Sequence, residues 1–234
     1  MSIATLIIGE SGTGKTTALR NLDPVDTMLI QSVRKPLPFR ATGWAYFNKD
    51  TARTGNMFVT DKAPDIIGLM QRTARKVIVI DDFQYVLVNE YMRRSEEKGY
   101  DKFADIGRHA WDILTAAISL GPQVRVYILG HSQSDEFGRT RVKTIGRLLD
   151  EKINVEGMFS IVLKTVVSNG VYQFTTRNSG SDTVKTPMGL FDTETIDNDL
   201  AAVDRAIVEF YGLAPRAAAK SPAPKAVDCN GGAT

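Results

Sequence analysis

The sequence predicts an α/β protein: a mostly parallel sheet with helices on both faces and an antiparallel β-hairpin towards its C-terminal end. Three observations predict it. Apolar, strand-like runs alternate with helix-like stretches through residue 131, the pattern of parallel strands joined by crossover helices. The first of these runs passes straight into a glycine-rich segment and then a helical stretch. Further on, Asn169-Gly170 separates two β-prone runs, and both positions of that dipeptide favour the positive φ of a tight turn.

Ile3-Ala4-Thr5-Leu6-Ile7-Ile8 is continuous and apolar, as a strand buried on both faces must be. Thr16 to Leu22 has helical character and stops at Asp23-Pro24. Thr27 to Gln31 is a second strand. Val33 to Phe39 is extended loop, because Pro36 and Pro38 restrict it. Trp44 to Phe47 and Met57 to Thr60 are short β-prone runs around an Arg53-Thr54-Gly55-Asn56 turn. From Pro64, Ile66, Ile67, Met70 and Ala74 define one helix face. Val77 to Ile80 is a buried strand ending in Asp81-Asp82, and Asn89 to Lys102 is a variable loop.

Ala104 to Leu120 is amphipathic at three- and four-residue spacings and is stopped by Gly121-Pro122. Val124 to Leu129 is a strand with Gly130-His131-Ser132-Gln133 at its end. A polar loop, Ser134 to Lys143, precedes a short helix with Ile145, Leu148, Leu149 and Ile153 inward. Met158 to Val167 and Val171 to Arg177 form the hairpin. Leu200, Val203, Ile207 and Phe210 mark a last helix, ended by Gly212 and Pro215. The expectation is one core over residues 1–212 and a disordered Ala/Pro-rich tail over 213–234.

Composition narrows the functional classes. In 234 residues, an apolar content of 43% is ample for one core, and a net charge of +2 supplies no global basic field. Nucleic-acid binding would therefore have to come from local loops. The lone Cys229 rules out an intramolecular disulfide framework. No apolar run has membrane-spanning length and no signal-peptide pattern precedes the first strand, so a soluble cytoplasmic protein is expected, with no membrane partner.

Gly9-Glu10-Ser11-Gly12-Thr13-Gly14-Lys15-Thr16-Thr17 fits G-x-x-x-x-G-K-[ST], and it sits in the strand–loop–helix setting that the phosphate-binding loop requires. Gly9, Gly12 and Gly14 let the backbone wrap so that N–H groups face a phosphate, and the following helix's dipole adds to that field. Lys15 would reach the β- and γ-phosphates of ATP, and the Thr16 hydroxyl would ligate Mg²⁺. Asp81, closing an apolar strand at the sheet's carboxyl edge, would coordinate Mg²⁺ directly or through an intervening group. Asp82 would orient the attacking water, with Glu90 and Asp50 as weaker substitutes, while Glu10 points outward. His131 would sense the γ-phosphate. Arg139, Arg141 and Lys143, with Arg147 just beyond, suit sequence-independent phosphate-backbone contacts to a nucleic acid on a mobile loop. Arg93, Arg94, Lys98 and Lys102 are a weaker basic segment, offset by Glu90, Glu96, Glu97 and Asp101. There Tyr91, Tyr100 and Phe103 stack on bases or simply pack.

This order of parts resembles the RecA-type core across roughly residues 1–190. Lys35-Pro36-Leu37-Pro38-Phe39, Asp81-Asp82-Phe83-Gln84-Tyr85, Gly180-Ser181-Asp182-Thr183 and Lys185-Thr186-Pro187-Met188 look like the phage-encoded minimal RecA-like ATPases grouped with single-strand annealing proteins. The resemblance implies a P-loop ATPase of recombination acting in a bacterial cytoplasm. It also implies two loops holding single-stranded DNA and a homo-oligomer, ring or filament, with ATP between subunits. A single-strand-binding protein is a further implied partner. Arg177 or Lys185 would reach a neighbour's γ-phosphate as a finger in trans. Two departures stand out. RecA itself has a catalytic glutamate after the strand that follows the P-loop helix, where this chain has Gln31-Ser32-Val33-Arg34-Lys35. The chain also has no room for RecA's N-terminal docking segment.

Three other readings share the P-loop. A small nucleotide kinase would need an arginine-rich lid. An AAA-type remodeller would need a helical lid where this sequence has Asn169-Gly170 strands. A nucleotide-gated adaptor with little turnover fits the missing glutamate.

Overall fold

The computed structural model describes residues 1–50, 54–145 and 153–213. Arg53, Arg147, the expected inward Leu148 and Leu149, and the tail from residue 214 lie outside the described residues.

The described strands are β1 (Ile3–Gly9), β2 (Thr27–Gln31), β3 (Met57–Val59), β4 (Val77–Asp81), β5 (Arg125–Ser134), β6 (Thr140–Val142), β7 (Ile161–Ser168), β8 (Val171–Thr175) and β9 (Thr195–Asp197). They make one sheet in the order β3-β2-β4-β5-β1-β7-β8-β9, with β6 paired to β5. From β3 to β7 every neighbour is parallel. β7, β8 and β9 are antiparallel, and β6 turns back on β5. The turn between β7 and β8 places Asn169 at φ 51° and Gly170 at φ 77°.

Strand periodicity builds two cores. Leu6 and Ile8 of β1, Ile78 and Ile80 of β4, and Val126 and Ile128 of β5 face one side. There they meet Ile66 and Met70 of α1 (Ala63–Arg72), Val86 and Leu87 of α2 (Gln84–Arg93), and Ile106, Ile113 and Leu114 of α3 (Asp101–Ile118). Their alternates, Ile7, Val79, Tyr127 and Leu129, face Leu19 and the Leu200, Val203 and Ile207 stripe of α4 (Leu200–Phe210). Because successive side chains point to opposite faces, a strand buried on both faces reads as an unbroken apolar run.

The structure departs from the sequence reading in several places. Thr16–Asn21 is a six-residue 3₁₀ segment, cut short by Asp23-Pro24. So short a helix carries no macrodipole of weight, and the field at the glycine-rich loop comes from its own backbone and Lys15. Part of the expected variable loop is helix: α2 occupies residues 84–93 and α3 starts at Asp101. Lys102 explains the early start, since its Nζ donates to the carbonyls of Arg94, Ser95 and Glu97 and ties the end of α2 to the first turn of α3. α1 ends before Ala74, because Thr73 is extended. The Ser134–Lys143 loop contains β6, and Trp44 to Phe47 meets β3 through one isolated bridge at Tyr46. Among the described residues no helix is long and apolar enough to cross a membrane.

Candidate active site

Strand order decides which residues meet. β5 lies between β1 and β4, so Gly9 stands in register beside His131, and Asp81 ends the next strand over. The chain leaving β1 turns at once through Gly14, whose φ of +94° is closed to most L residues. A Cβ there would also lie 2.9 Å from the Tyr172 ring of β8. Gly9 is required for another reason: a Cβ would sit 1.8 Å from the Thr165 hydroxyl of β7. Thr165 and Thr13 share a 2.6 Å hydroxyl contact, and Thr13 also donates to the Glu10 carbonyl, so β7 braces the loop from below.

Lys15 is only 6% exposed, and its Nζ donates to the carbonyls of Gly9 at 2.9 Å and Glu10 at 2.7 Å. Burial lowers its pKa, against the pull of Asp82 and Asp81. The Thr16 hydroxyl donates to both Asp81 oxygens at 3.1 Å. Burial, and then the negative charge of Asp82, push the Asp81 carboxyl up to about 6, although Lys35 and the Thr16 bond oppose the rise.

Asp82 adopts φ 61°, a strained conformation for a non-glycine residue, and is 5% exposed. Its carboxylate is bonded by Lys35 Nζ, which lies 4.0 Å from Asp81. On its other oxygen it has His131 Nε2 at 3.4 Å. Burial, then the Lys15 charge, lower the His131 pKa and favour the neutral ring. For Lys35, burial acts downward, but Asp81 and Asp82 outweigh it and hold the ammonium above its ordinary value.

These groups surround a cavity of about 410 Å³, with Ser11, Gly12 and Gly14 to Thr17 on one side and Lys35, Asp82, His131 and Tyr172 on the other. Thr16 and Asp81 are hard oxygen donors side by side. That suits a small divalent cation whose remaining ligands are phosphate oxygens and water. Among the described residues no cluster of three acidic, histidine or cysteine side chains makes an all-protein metal cage.

The other candidates fall elsewhere. Glu90 bonds His109 and Arg94 between α2 and α3, and neither it nor Asp50 lines the cavity. Arg139, Arg141 and Lys143 lie on the β5–β6 hairpin, which continues directly from His131: Lys143 N donates to the His131 carbonyl at 2.7 Å. Asp135 organises its tip, accepting from the backbone of Phe137 and Arg139, and stands 3.5 Å from Arg141. Arg94 is bound to Glu90, Glu97 and Asp105, and Arg93 to Asp61, so neither cation is held out towards a ligand. Arg177 and Lys185 share a separate groove of about 560 Å³ beside the exposed Met188.

Sequence reasoning gave no role in the site to Lys35, Thr165 or Tyr172. Lys35 left a signal, a lysine among prolines at the carboxyl end of a strand. Thr165 and Tyr172 left none, since the β1–β7 pairing sets Thr165, and the β7–β8 pairing Tyr172, against the loop. Asn198 also escaped notice: it is buried against Gly14, and among the described residues both its side-chain polar atoms lack hydrogen-bond partners. Compared with protein-family models and with curated proteins, the chain matches none.

Proposed function

We propose that the chain is a Mg²⁺-dependent ATPase of the RecA-like P-loop type that acts on single-stranded DNA. One observation carries the reading: Lys15, Thr16, Asp82 and His131 line one cavity at the carboxyl edge of a parallel sheet, where such sheets take ligands, with Asp81 bonded to Thr16 behind it. Lys15 exchanges two loop carbonyls for β- and γ-phosphate oxygens. Thr16 and Asp81 would hold Mg²⁺, which when bound would supply charge neutralisation at the phosphates. Asp82 accepts a hydrogen bond from the attacking water and fixes its line of approach. His131, neutral and within reach of Asp82, reports the γ-phosphate to the hairpin that bears Arg139, Arg141 and Lys143. Tyr172 offers its ring to the base. Arg177 and Lys185 are outside their own cavity, which is compatible with service to a neighbouring subunit's phosphate.

The Lys35–Asp82 pair favours a second reading, a nucleotide-gated adaptor, because a carboxylate held by a lysine is a poor partner for water. Steady-state ATP hydrolysis separates the two, measured alone and with single- or double-stranded DNA at low and moderate salt. We expect single strands to stimulate hydrolysis, the effect to weaken with salt, and Lys15→Ala to abolish it. Tight ATP binding without turnover under every condition overturns the ATPase in favour of the adaptor. Phosphorylation of small nucleosides, indifferent to DNA, replaces it with a kinase.

A further inference from the structure

We infer that a second cavity, at the outer edge of the sheet, seats a nucleotide of a single-stranded nucleic acid by stacking its base on Phe47 and pairing its neighbouring phosphates with Arg34, Lys49 and Arg72. The cavity measures about 700 Å³ and lies against β3, the edge strand. Phe47 stacks on Phe58 with ring centres 5.0 Å apart and remains 40% exposed, so an aromatic face is left in solvent at its wall. Three exposed cations line the same cavity from three separate segments: Arg34 from the loop after β2, Lys49 from the turn after Phe47, and Arg72 from the last turn of α1.

None of the three has a carboxylate partner among the described residues, whereas Arg93, Arg94, Arg125 and Lys164 all do. Arg34 only lies over the Tyr46 ring, 4.5 Å from its centre. The one carboxylate on the lining, Asp65, accepts from Thr60. Aromatic faces beside unpaired cations are what bases and phosphates bind on single strands. Cations spread over three segments suit successive phosphates of a strand, where a single phosphate would call for a compact nest. An acidic peptide would satisfy the cations but leave the aromatic face unused.

Hydrogen bonds join this cavity to the site at Lys15 and Asp82, although the two share no lining residue. The Tyr46 hydroxyl donates to Gln31 Oε1 at 2.9 Å and to the Lys35 carbonyl at 3.1 Å, and the Lys35 ammonium is bonded to Asp82. A strand seated against Tyr46 and Phe47 therefore bears on the loop that carries Lys35. The inference rests on the single-strand reading above and adds a contact remote from the β5–β6 hairpin.

The test is photocrosslinking of the full chain to a single strand carrying 5-bromodeoxyuridine, with peptide mapping, beside fluorescence anisotropy of the variants with the same strand. Crosslinks at Tyr46-Phe47 are expected, with Phe47→Ala binding about tenfold more weakly. Lys49→Gln and Arg72→Gln, both on exposed side chains that leave the fold intact, should each lower the slope of log affinity on log salt by about 0.7. Crosslinks confined to the β5–β6 hairpin, with all three variants at wild-type affinity and salt slope, overturn the inference and leave the single-strand reading standing. A wild-type chain that binds no single strand overturns both.

Discussion

Asp81 shows how burial sets the chemistry of one side chain. It is 1% exposed, and its carboxyl is raised to about 6 by burial and by Asp82. Raised in the folded state, the group favours folding most fully below the unfolded carboxylate range, and that contribution is lost as pH rises through about 6. Above that pH the nucleotide-free protein carries a buried carboxylate whose ionisation burial disfavours. Asp81→Asn should therefore raise the melting temperature at pH 8 and leave it nearly unchanged at pH 4, in thermal scans without nucleotide. Cation binding works the other way, because it needs the ionised carboxylate. The Mg²⁺-dependent part of ATP affinity should fall as pH drops through about 6, by about tenfold per pH unit below it, in titrations with and without Mg²⁺.

At the scale of elements, α4 is fastened to the sheet by a buried polar clamp. Arg125 Nε and Nη2 donate to the two oxygens of Asp204, each at 2.9 Å, and the Tyr127 hydroxyl donates to the same carboxylate. Arg125 and Tyr127 are consecutive same-face positions on β5, so the clamp is a product of strand periodicity meeting a helix. Asp204→Ala leaves an unpaired guanidinium beneath α4 and should cost about 3–5 kcal/mol, read by urea denaturation. The β7–β8 pair does comparable work on the opposite flank. Thr165, on the strand beside β1, and Tyr172, on its antiparallel partner, brace a glycine-rich loop whose short 3₁₀ continuation would hold it poorly alone.

The whole molecule separates its charges by place. A net charge of +2 hides a cavity where two lysines, two aspartates and a histidine lie together, a hairpin of cations continuing from it, and a distant groove holding Arg177 and Lys185. If Arg177 and Lys185 act on a neighbour, a chain with an intact finger and a dead site should rescue one with an intact site and no finger. Mixing Lys15→Ala with the Arg177→Ala, Lys185→Ala double variant should give more ATP hydrolysis than either alone. No gain over a range of mixing ratios removes the finger role in trans.

The sequence by itself determined what depends on neighbours along the chain. Unbroken apolar runs marked β1, β4 and β5, and glycines placed the loop from Gly9 to Thr17. Proline breaks and amphipathic spacing located α1 and most of α3. α2 was legible but missed: Phe83, Val86, Leu87 and Tyr91 keep helical spacing, masked by the charged stretch that follows. Only the tertiary structure decided that β5 lies between β1 and β4, which sets His131 beside Gly9 and within reach of Asp82. It alone put Lys35 on Asp82, and Thr165 and Tyr172 against the glycine-rich loop. The reason is physical. Burial, turns and helix stops are local properties written in residue order, whereas strand order and cross-sheet contacts come from long-range pairing, which no local periodicity encodes.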